Sequence, residues 1–180
     1  MNMNMRTRSA TRHPGRTRDT VSSLLGVYLN DHLAGSTTGT ERARHMVRSY
    51  RGTALAAAMG PIAAEIAEDR ASLIGIMKRL DIPVRHYKVY AGRVAERVGR
   101  LKSNGRLVRR SPLSPLLELE MLRLGVEGKT AAWETLRELA ATEERLDPQL
   151  LDDLRARARR QQSRLEELRG RQVGAAFLER

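Results

Sequence analysis

The sequence predicts an all-α protein, from its composition and from the spacing of its apolar residues. Of its 180 residues, 41% are hydrophobic but only 3% are aromatic, which favours aliphatic packing between helices over a sheet. Apolar residues recur three and four positions apart over long stretches, and proline or glycine interrupts these stretches. A chain of this length suits one helical domain with a single core.

Several kinds of site and location are excluded or disfavoured by composition. The chain has no cysteine, so it has no disulfide, thiolate metal site, iron–sulfur cluster or cysteine nucleophile. It lacks an uninterrupted apolar run of about 18 residues, so we expect no membrane span and a cytoplasmic protein. Residues 1–19 carry arginines without the apolar segment of a secretory signal. We therefore predict that residues 1–19 form a disordered basic arm and that residues 20–177 form a helical bundle.

Two long helices are predicted in the first half of the chain. The second begins near Pro61, which suits a first helical turn, and ends before residues 81–83. The first covers about residues 20–51, and its small residues Gly35, Ser36 and Gly39 favour a close helix approach over a cofactor cavity. The core-facing positions predicted for the first helix are Leu25, Leu29, His32, Ser36, Gly39, Ala43, Met46 and Tyr50. Those for the second are Ile62, Ile66, Asp69, Leu73, Ile76 and Leu80.

A short basic helix and two further long helices are predicted after residue 84. The basic helix covers about residues 85–101, and the third long helix covers about residues 115–141. The fourth begins at Pro148, capped by Asp147, and reaches about residue 175. The core-facing positions predicted for the third helix are Leu117, Met121, Leu124, Gly128, Ala131, Thr135 and Leu139. Those for the fourth are Leu151, Leu154, Ala158, Gln161, Leu165 and Leu168.

Two long helices, a long crossover with a short basic helix, and two more long helices describe a four-helix bundle. One extended connection between the halves is the ferritin-like topology. Such bundles direct one glutamate from each of two helices, and Glu-x-x-His from each of the other two, toward a metal pair.

Four stretches also resemble bacterioferritin-type chains, one in each long helix. They are "YLNDHLAGSTTG", "EIAEDRASLIGIMKRLDIP", "SPLLELEMLRLGVEGKTAAW" and "RRQQSRLEEL". Over residues 21–177 the chain resembles an uncharacterised actinobacterial branch of the ferritin-like superfamily. The resemblance implies a metal-binding bundle and identifies the positions where ligands would stand.

The metal motif implied by this resemblance is not intact. The first-helix glutamate falls on Ser36, and the fourth-helix Glu-x-x-His falls on Ala158-x-x-Gln161. The second-helix motif becomes Glu65-x-x-Glu68, and two glutamates of the third helix are candidates. A carboxylate-rich metal site would take iron or manganese and would use Glu65, Glu68, Glu120 and Glu127.

Helical geometry places Glu65 and Asp69 close to the core-facing side of the second helix and Glu68 at its flank. Two close buried carboxylates rarely stay ionised together, so one takes a proton or pairs with a base. Plausible partners by position are Arg70, His32 and Gln161. We therefore predict that the space where ferritin-like bundles hold their metal pair is filled here by a polar hydrogen-bonded cluster without a cofactor. Its members are His32, Ser36, Glu65, Asp69 and Gln161.

The net charge of +12 is concentrated in the middle of the chain. Residues 78–111 carry +9, from 11 basic and 2 acidic residues, whereas residues 112–153 carry −6. A basic helix face of this kind binds phosphates without sequence specificity, unless it is a solvated face or meets the acidic third helix. The candidate residues for binding nucleic acid or another polyanion are Arg85, Lys88, Arg93, Arg97, Arg100, Lys102, Arg106, Arg109 and Arg110.

Three functions stay open at this point. A non-catalytic structural or interaction protein is favoured, because Ser36, Ala158 and Gln161 replace metal ligands. The alternatives are a metal-binding oxidoreductase and a nucleic-acid-binding protein that combines the N-terminal arm, the basic segment and "RARARRQQSR". A homodimer is also expected, since apolar residues on the third helix exceed one core-facing stripe. These additional residues are Leu116, Leu119, Leu122 and Val126.

Overall fold

The computed structural model describes residues 14–85 and 113–178, and all regular structure in these two segments is helical. The helices are α1 (Pro14–Ser49), α2 (Ala54–Arg79), α3 (Leu113–Leu139) and α4 (Pro148–Phe177). They pack together, which confirms the predicted all-α four-helix bundle. The basic helix predicted over residues 85–101 lies outside the described residues, apart from Arg85.

Two helices begin earlier than the sequence predicts. Helix α1 starts at Pro14, so it includes residues 14–19 of the segment predicted as a disordered arm. Helix α2 starts at Ala54, because Thr53 caps it by accepting a hydrogen bond from the Ala56 N–H (3.3 Å). Pro61 therefore lies inside the helix and not at its start. The alanines that follow have the highest helix propensity, and Pro61 removes only one backbone donor.

The start of α4 agrees with the prediction. Asp147 has an extended backbone, and its Oδ1 accepts hydrogen bonds from the N–H groups of Gln149 (2.9 Å) and Leu150 (3.2 Å). Pro148 occupies the first turn, where its missing N–H costs nothing. This cap sets the residue at which α4 begins.

Cross-helix contacts show the direction of each helix. Tyr28 Oη donates to Thr135 Oγ1 (3.2 Å) and Arg42 donates to Glu118 (3.2 Å), so α1 and α3 are antiparallel. The contacts of α2 with α4 also run in opposite order along the two helices. Because α1 and α2 form an antiparallel hairpin, α2 and α3 point the same way. The end of α2 and the start of α3 therefore lie at opposite ends of the bundle.

The predicted core faces of α2 and α4 are confirmed, since every predicted position on them is buried. The prediction for α3 is wrong: Leu117 is 52% exposed and Leu124 is 68% exposed. After Leu124, the predicted stripe continues into the small or polar residues Gly128, Ala131 and Thr135. The opposite stripe of α3 carries larger apolar side chains, so it buries more apolar area when it faces the bundle. The residues of α3 that enter the core include Leu116, Leu119, Leu122, Val126, Trp133 and Leu136.

The close helix approach predicted at Gly35, Ser36 and Gly39 is also wrong. A Cβ atom added at Gly35 or Gly39 would meet no heavy atom of the described residues within 4 Å. The facing part of α3 carries Gly125 and Gly128, so small residues on both helices leave space between them. Among helices α1 to α4, none has the length and apolarity needed to cross a membrane.

Candidate functional site

A buried carboxylate, Asp69 of α2, lies at the centre of the polar contacts inside the bundle. Its side chain is 1% exposed, and its Oδ2 is 2.5 Å from the Lys129 ammonium of α3. From α4, Arg157 Nε donates to Asp69 Oδ1 (2.7 Å) and Gln161 Nε2 donates to Oδ2 (3.1 Å). Three helices therefore converge on one carboxylate, and each of its oxygens accepts a charged donor.

Gln161 links Asp69 to a second carboxylate. It is fully buried, its Oε1 accepts from Lys129 Nζ (2.5 Å), and its Nε2 also donates to Glu65 Oε2 (3.1 Å). The other oxygen of Glu65 accepts from Arg164 (3.0 Å). We call Glu65, Asp69, Lys129, Arg157 and Gln161 the Asp69 cluster. Its two carboxylates are balanced by two cations from the same chain.

Burial acts against the charge of Lys129. Desolvation lowers the pKa of Lys129, while the charge of Asp69 and the hydrogen bond to it oppose that shift. The nearby Arg157 lowers the pKa of Lys129 further. The ammonium group therefore depends on Asp69 as its compensating partner, and the two residues act as a unit.

The predicted cluster is assembled in part. Glu65, Asp69 and Gln161 come together as expected. Ser36 Oγ instead donates to the Leu33 carbonyl (2.8 Å), and the His32 ring meets Tyr28 edge-on, with centroids 4.5 Å apart. Both side chains nevertheless line a cleft of about 210 Å³ that also reaches Asp69 and Lys129.

The predicted contact of Gln161 with the carboxylates is confirmed, but the predicted contact of Arg70 with them is not. Arg70 Nε donates to Thr37 Oγ1 of α1 (2.9 Å). The cations at Asp69 are Lys129 and Arg157, and neither was predicted. Lys129 is spaced three and four residues from the buried Val126 and Trp133, and this spacing could have revealed it once the correct face of α3 was chosen.

His32 makes the free energy of unfolding depend on pH. Burial lowers the pKa of His32 from its ordinary 6.5, with Asp31 opposing the shift. Between the folded pKa and 6.5 the unfolded chain binds more protons, so stability falls as the pH falls through this window. We expect the urea midpoint to drop between about pH 7.5 and about pH 5.5 by a smaller amount in His32→Phe than in the native chain. Equal drops in the two proteins would remove His32 from this account.

The four carboxylates proposed as metal ligands are not brought together. Glu68 is 66% exposed and pairs with Arg157, while Glu127 accepts a hydrogen bond from Gln162. Across residues 14–85 and 113–178, no group of three or more His, Asp or Glu side chains is arranged to hold a metal ion. The inner position instead holds a lysine ammonium, which has no lone pair to donate while protonated. These residues do not fit the metal pair that the sequence resemblance implies.

The basic segment proposed for nucleic acid lies almost entirely outside the described residues. Arg85 is described, and its N–H donates to Asn30 Oδ1 (2.8 Å). In the stretch "RARARRQQSR", several arginines pair with acids of the bundle instead of standing free for phosphates; these are Arg155, Arg157, Arg159 and Arg164. Nucleic-acid binding therefore stays a prediction that rests on the N-terminal arm and on residues 86–112.

Comparison with known proteins identifies no relative: no protein-family model, curated protein or solved structure matches this chain.

Proposed function

We propose that this protein is a ferritin-like bundle without an intact di-iron site that serves as a non-catalytic structural or interaction protein. The observation that carries the proposal is the Lys129 ammonium, held 2.5 Å from both Asp69 Oδ2 and Gln161 Oε1. A cation belonging to the chain itself supplies the positive charge that buried carboxylates require.

The arrangement of the helices supports the ferritin-like part of this proposal. Antiparallel pairs α1–α2 and α3–α4, with α2 and α3 pointing the same way, need one connection that returns along the bundle. That is the pattern of ferritin-like folds. The non-catalytic part is supported by the donor set, in which Ser36, Ala158 and Gln161 stand where the resemblance places metal ligands.

Iron oxidation tests the non-catalytic part directly. We expect Fe(II) in aerobic buffer to oxidise at the same rate with the native protein, with Glu65→Ala/Glu68→Ala, and with no protein. The physical reason is that Lys129 and Arg157 already satisfy the inner carboxylate. Faster oxidation with the native protein than with the double variant would refute the proposal.

The interaction part rests on an exposed apolar stripe on α3. Leu113, Leu117, Met121 and Leu124 are separated by four, four and three residues, so they lie along one helix face. They are 38%, 52%, 37% and 68% exposed, respectively. An exposed apolar stripe of this kind supports the proposal of a protein interaction surface. We propose that a second copy of the chain covers it, giving a homodimer. The sequence also predicts a homodimer, but through surplus apolar residues that the structure buries inside the bundle instead: Leu116, Leu119, Leu122 and Val126.

The dimer predicts a specific effect of charge on the stripe. We expect Leu117→Lys/Leu124→Lys to be a folded monomer in analytical ultracentrifugation at concentrations where the native chain is a dimer. Two buried lysines facing two more across a two-fold interface would be desolvated and would repel each other. Leu24→Lys, a comparably exposed leucine of α1 at 65%, is the control and should remain dimeric. A native chain that sediments as a monomer throughout would contradict the dimer.

A further inference from the structure

After α2 ends, the chain turns onto α1 and follows it. Ile82 Cγ2 lies 3.8 Å from the position that a Cβ atom of Gly26 would take. One turn further along α1, Asn30 Nδ2 donates to the Pro83 carbonyl (3.2 Å) and Asn30 Oδ1 accepts from the Arg85 N–H (2.8 Å). At this point the chain therefore already runs toward the carboxyl end of α1.

A groove between α1 and α2 continues in the same direction. Its volume is about 280 Å³. The residues that line it on α1 recur every three or four positions, so they share one helix face. They are Asn30, Ala34, Thr37 and Glu41. Arg70 lines it from α2, and Val84, which is 47% exposed, also borders it. We call this space the α1–α2 groove.

The segment that follows Arg85 connects to the far end of the bundle. The start of α3 lies level with the last turns of α1, because Glu118 contacts Arg42. The α1–α2 groove therefore leads in the direction that the connection takes. A helix over residues 85–101, as the sequence predicts, rises about 24 Å, which is the distance along α1 from Asn30 to its last turn.

The sequence of this segment has an apolar face that suits a groove. Aromatic and aliphatic residues recur at intervals of three, four, four and three positions, so they share one face of a helix. They are Tyr87, Tyr90, Val94, Val98 and Leu101. A helix of this kind stabilises its fold by burying the apolar face and leaving the polar face in water.

Charge also matches between the segment and the groove. Arg85 lies level with Asn30, so a helix that runs parallel to α1 brings Arg97 level with Glu41. Glu41 is exposed and forms no ion pair with another residue that the structure describes. We propose that residues 86–101 pack as a helix in the α1–α2 groove, with their apolar face toward α1 and α2 and with Arg97 beside Glu41.

Disulfide formation tests this proposal, because the chain has no cysteine and an introduced pair is the only pair. Glu41→Cys is combined, in separate proteins, with Val94→Cys, Val98→Cys or Glu96→Cys. Glu96 lies between the two valines in the sequence but on the opposite side of the helix, so it is the matched control. In a glutathione redox buffer, we expect the equilibrium constant for the intrachain disulfide to be at least about tenfold larger for one or both valine positions than for Glu96. In urea the three constants should be equal.

Three outcomes would overturn the proposal. They are equal constants for the three pairs in the folded protein, no intrachain disulfide in either valine pair, and a disulfide between chains on a non-reducing gel. The last result would place the segment of a second copy in the groove.

A second measurement leaves the groove itself unchanged. Val98→Cys and Glu96→Cys each carry one thiol, and a maleimide reports how accessible it is. We expect Val98→Cys to react at least about tenfold more slowly than Glu96→Cys in the folded protein, because only local opening exposes a packed side chain. Equal rates would show that the apolar face of the segment is not buried, which would also overturn the proposal.

Discussion

Replacing Lys129 by alanine should lower the free energy of unfolding by about 3 to 5 kcal/mol, the usual cost of removing one partner from a buried ion pair. Asp69 is 1% exposed and would lose its closest cation, while Gln161 Oε1 would lose its donor. Arg157 would remain at Asp69 Oδ1, so the loss should come mainly from the uncompensated Oδ2. Urea unfolding followed by circular dichroism measures the change.

The matched control is an arginine in an exposed ion pair of the same bundle. Arg159 is 62% exposed and pairs with Glu134, so Arg159→Ala should cost less than about 1 kcal/mol. If Lys129→Ala were no more destabilising than Arg159→Ala, the Lys129–Asp69 contact would not be the buried pair described here.

The second large effect is the recovery of stability when the whole polar cluster is replaced by apolar residues. Asp69→Leu alone should destabilise the bundle by about 3 to 5 kcal/mol, because Lys129 and Arg157 both lose their buried partner. The triple variant Asp69→Leu/Lys129→Met/Gln161→Leu should instead be at least as stable as the native chain. Well-packed apolar residues of similar volume avoid the desolvation cost of a buried ion pair, which often makes such replacements neutral or stabilising.

In the triple variant, the remaining charged groups keep partners at the surface. Glu65 retains Arg164, and Arg157 retains Glu68. The comparison of single and triple variants by urea unfolding therefore isolates the buried core of the cluster. A triple variant as unstable as Asp69→Leu would mean that the polar contacts are individually stabilising, contrary to this account.

The helices and most of the core are predictable from the sequence, because the spacing of apolar residues and the helix-capping residues are local properties of the chain. The faces of α2 and α4 were predicted correctly, including the buried Asp69 and Gln161, since each helix carries a single apolar stripe. Helix α3 carries two stripes, and local pattern alone does not decide which one faces the bundle. The choice depends on the area that each stripe buries against α1 and α4, which is a property of the assembled fold.

That one error accounts for most of what was missed at the site. On the predicted face of α3, Lys129 would lie away from the core; on the observed face it lies between Val126 and Trp133. Without Lys129 on the core face, the sequence offers Arg70 and His32 as bases for Asp69, but these side chains contact Thr37 and Tyr28 instead. The space at Gly35 and Gly39 was missed for a related reason, since it depends on the glycines that α3 places opposite.

Lys129 and Arg157 both pair with the buried Asp69. We propose that these cations, and not a metal ion, neutralise the inner carboxylates. The most direct test is elemental analysis after anaerobic incubation with Fe(II) and with Mn(II), followed by desalting, for the native protein beside Glu65→Ala/Glu68→Ala. We predict that neither protein retains metal in proportion to chain. Stoichiometric metal in the native protein that is lost in the double variant would contradict the account.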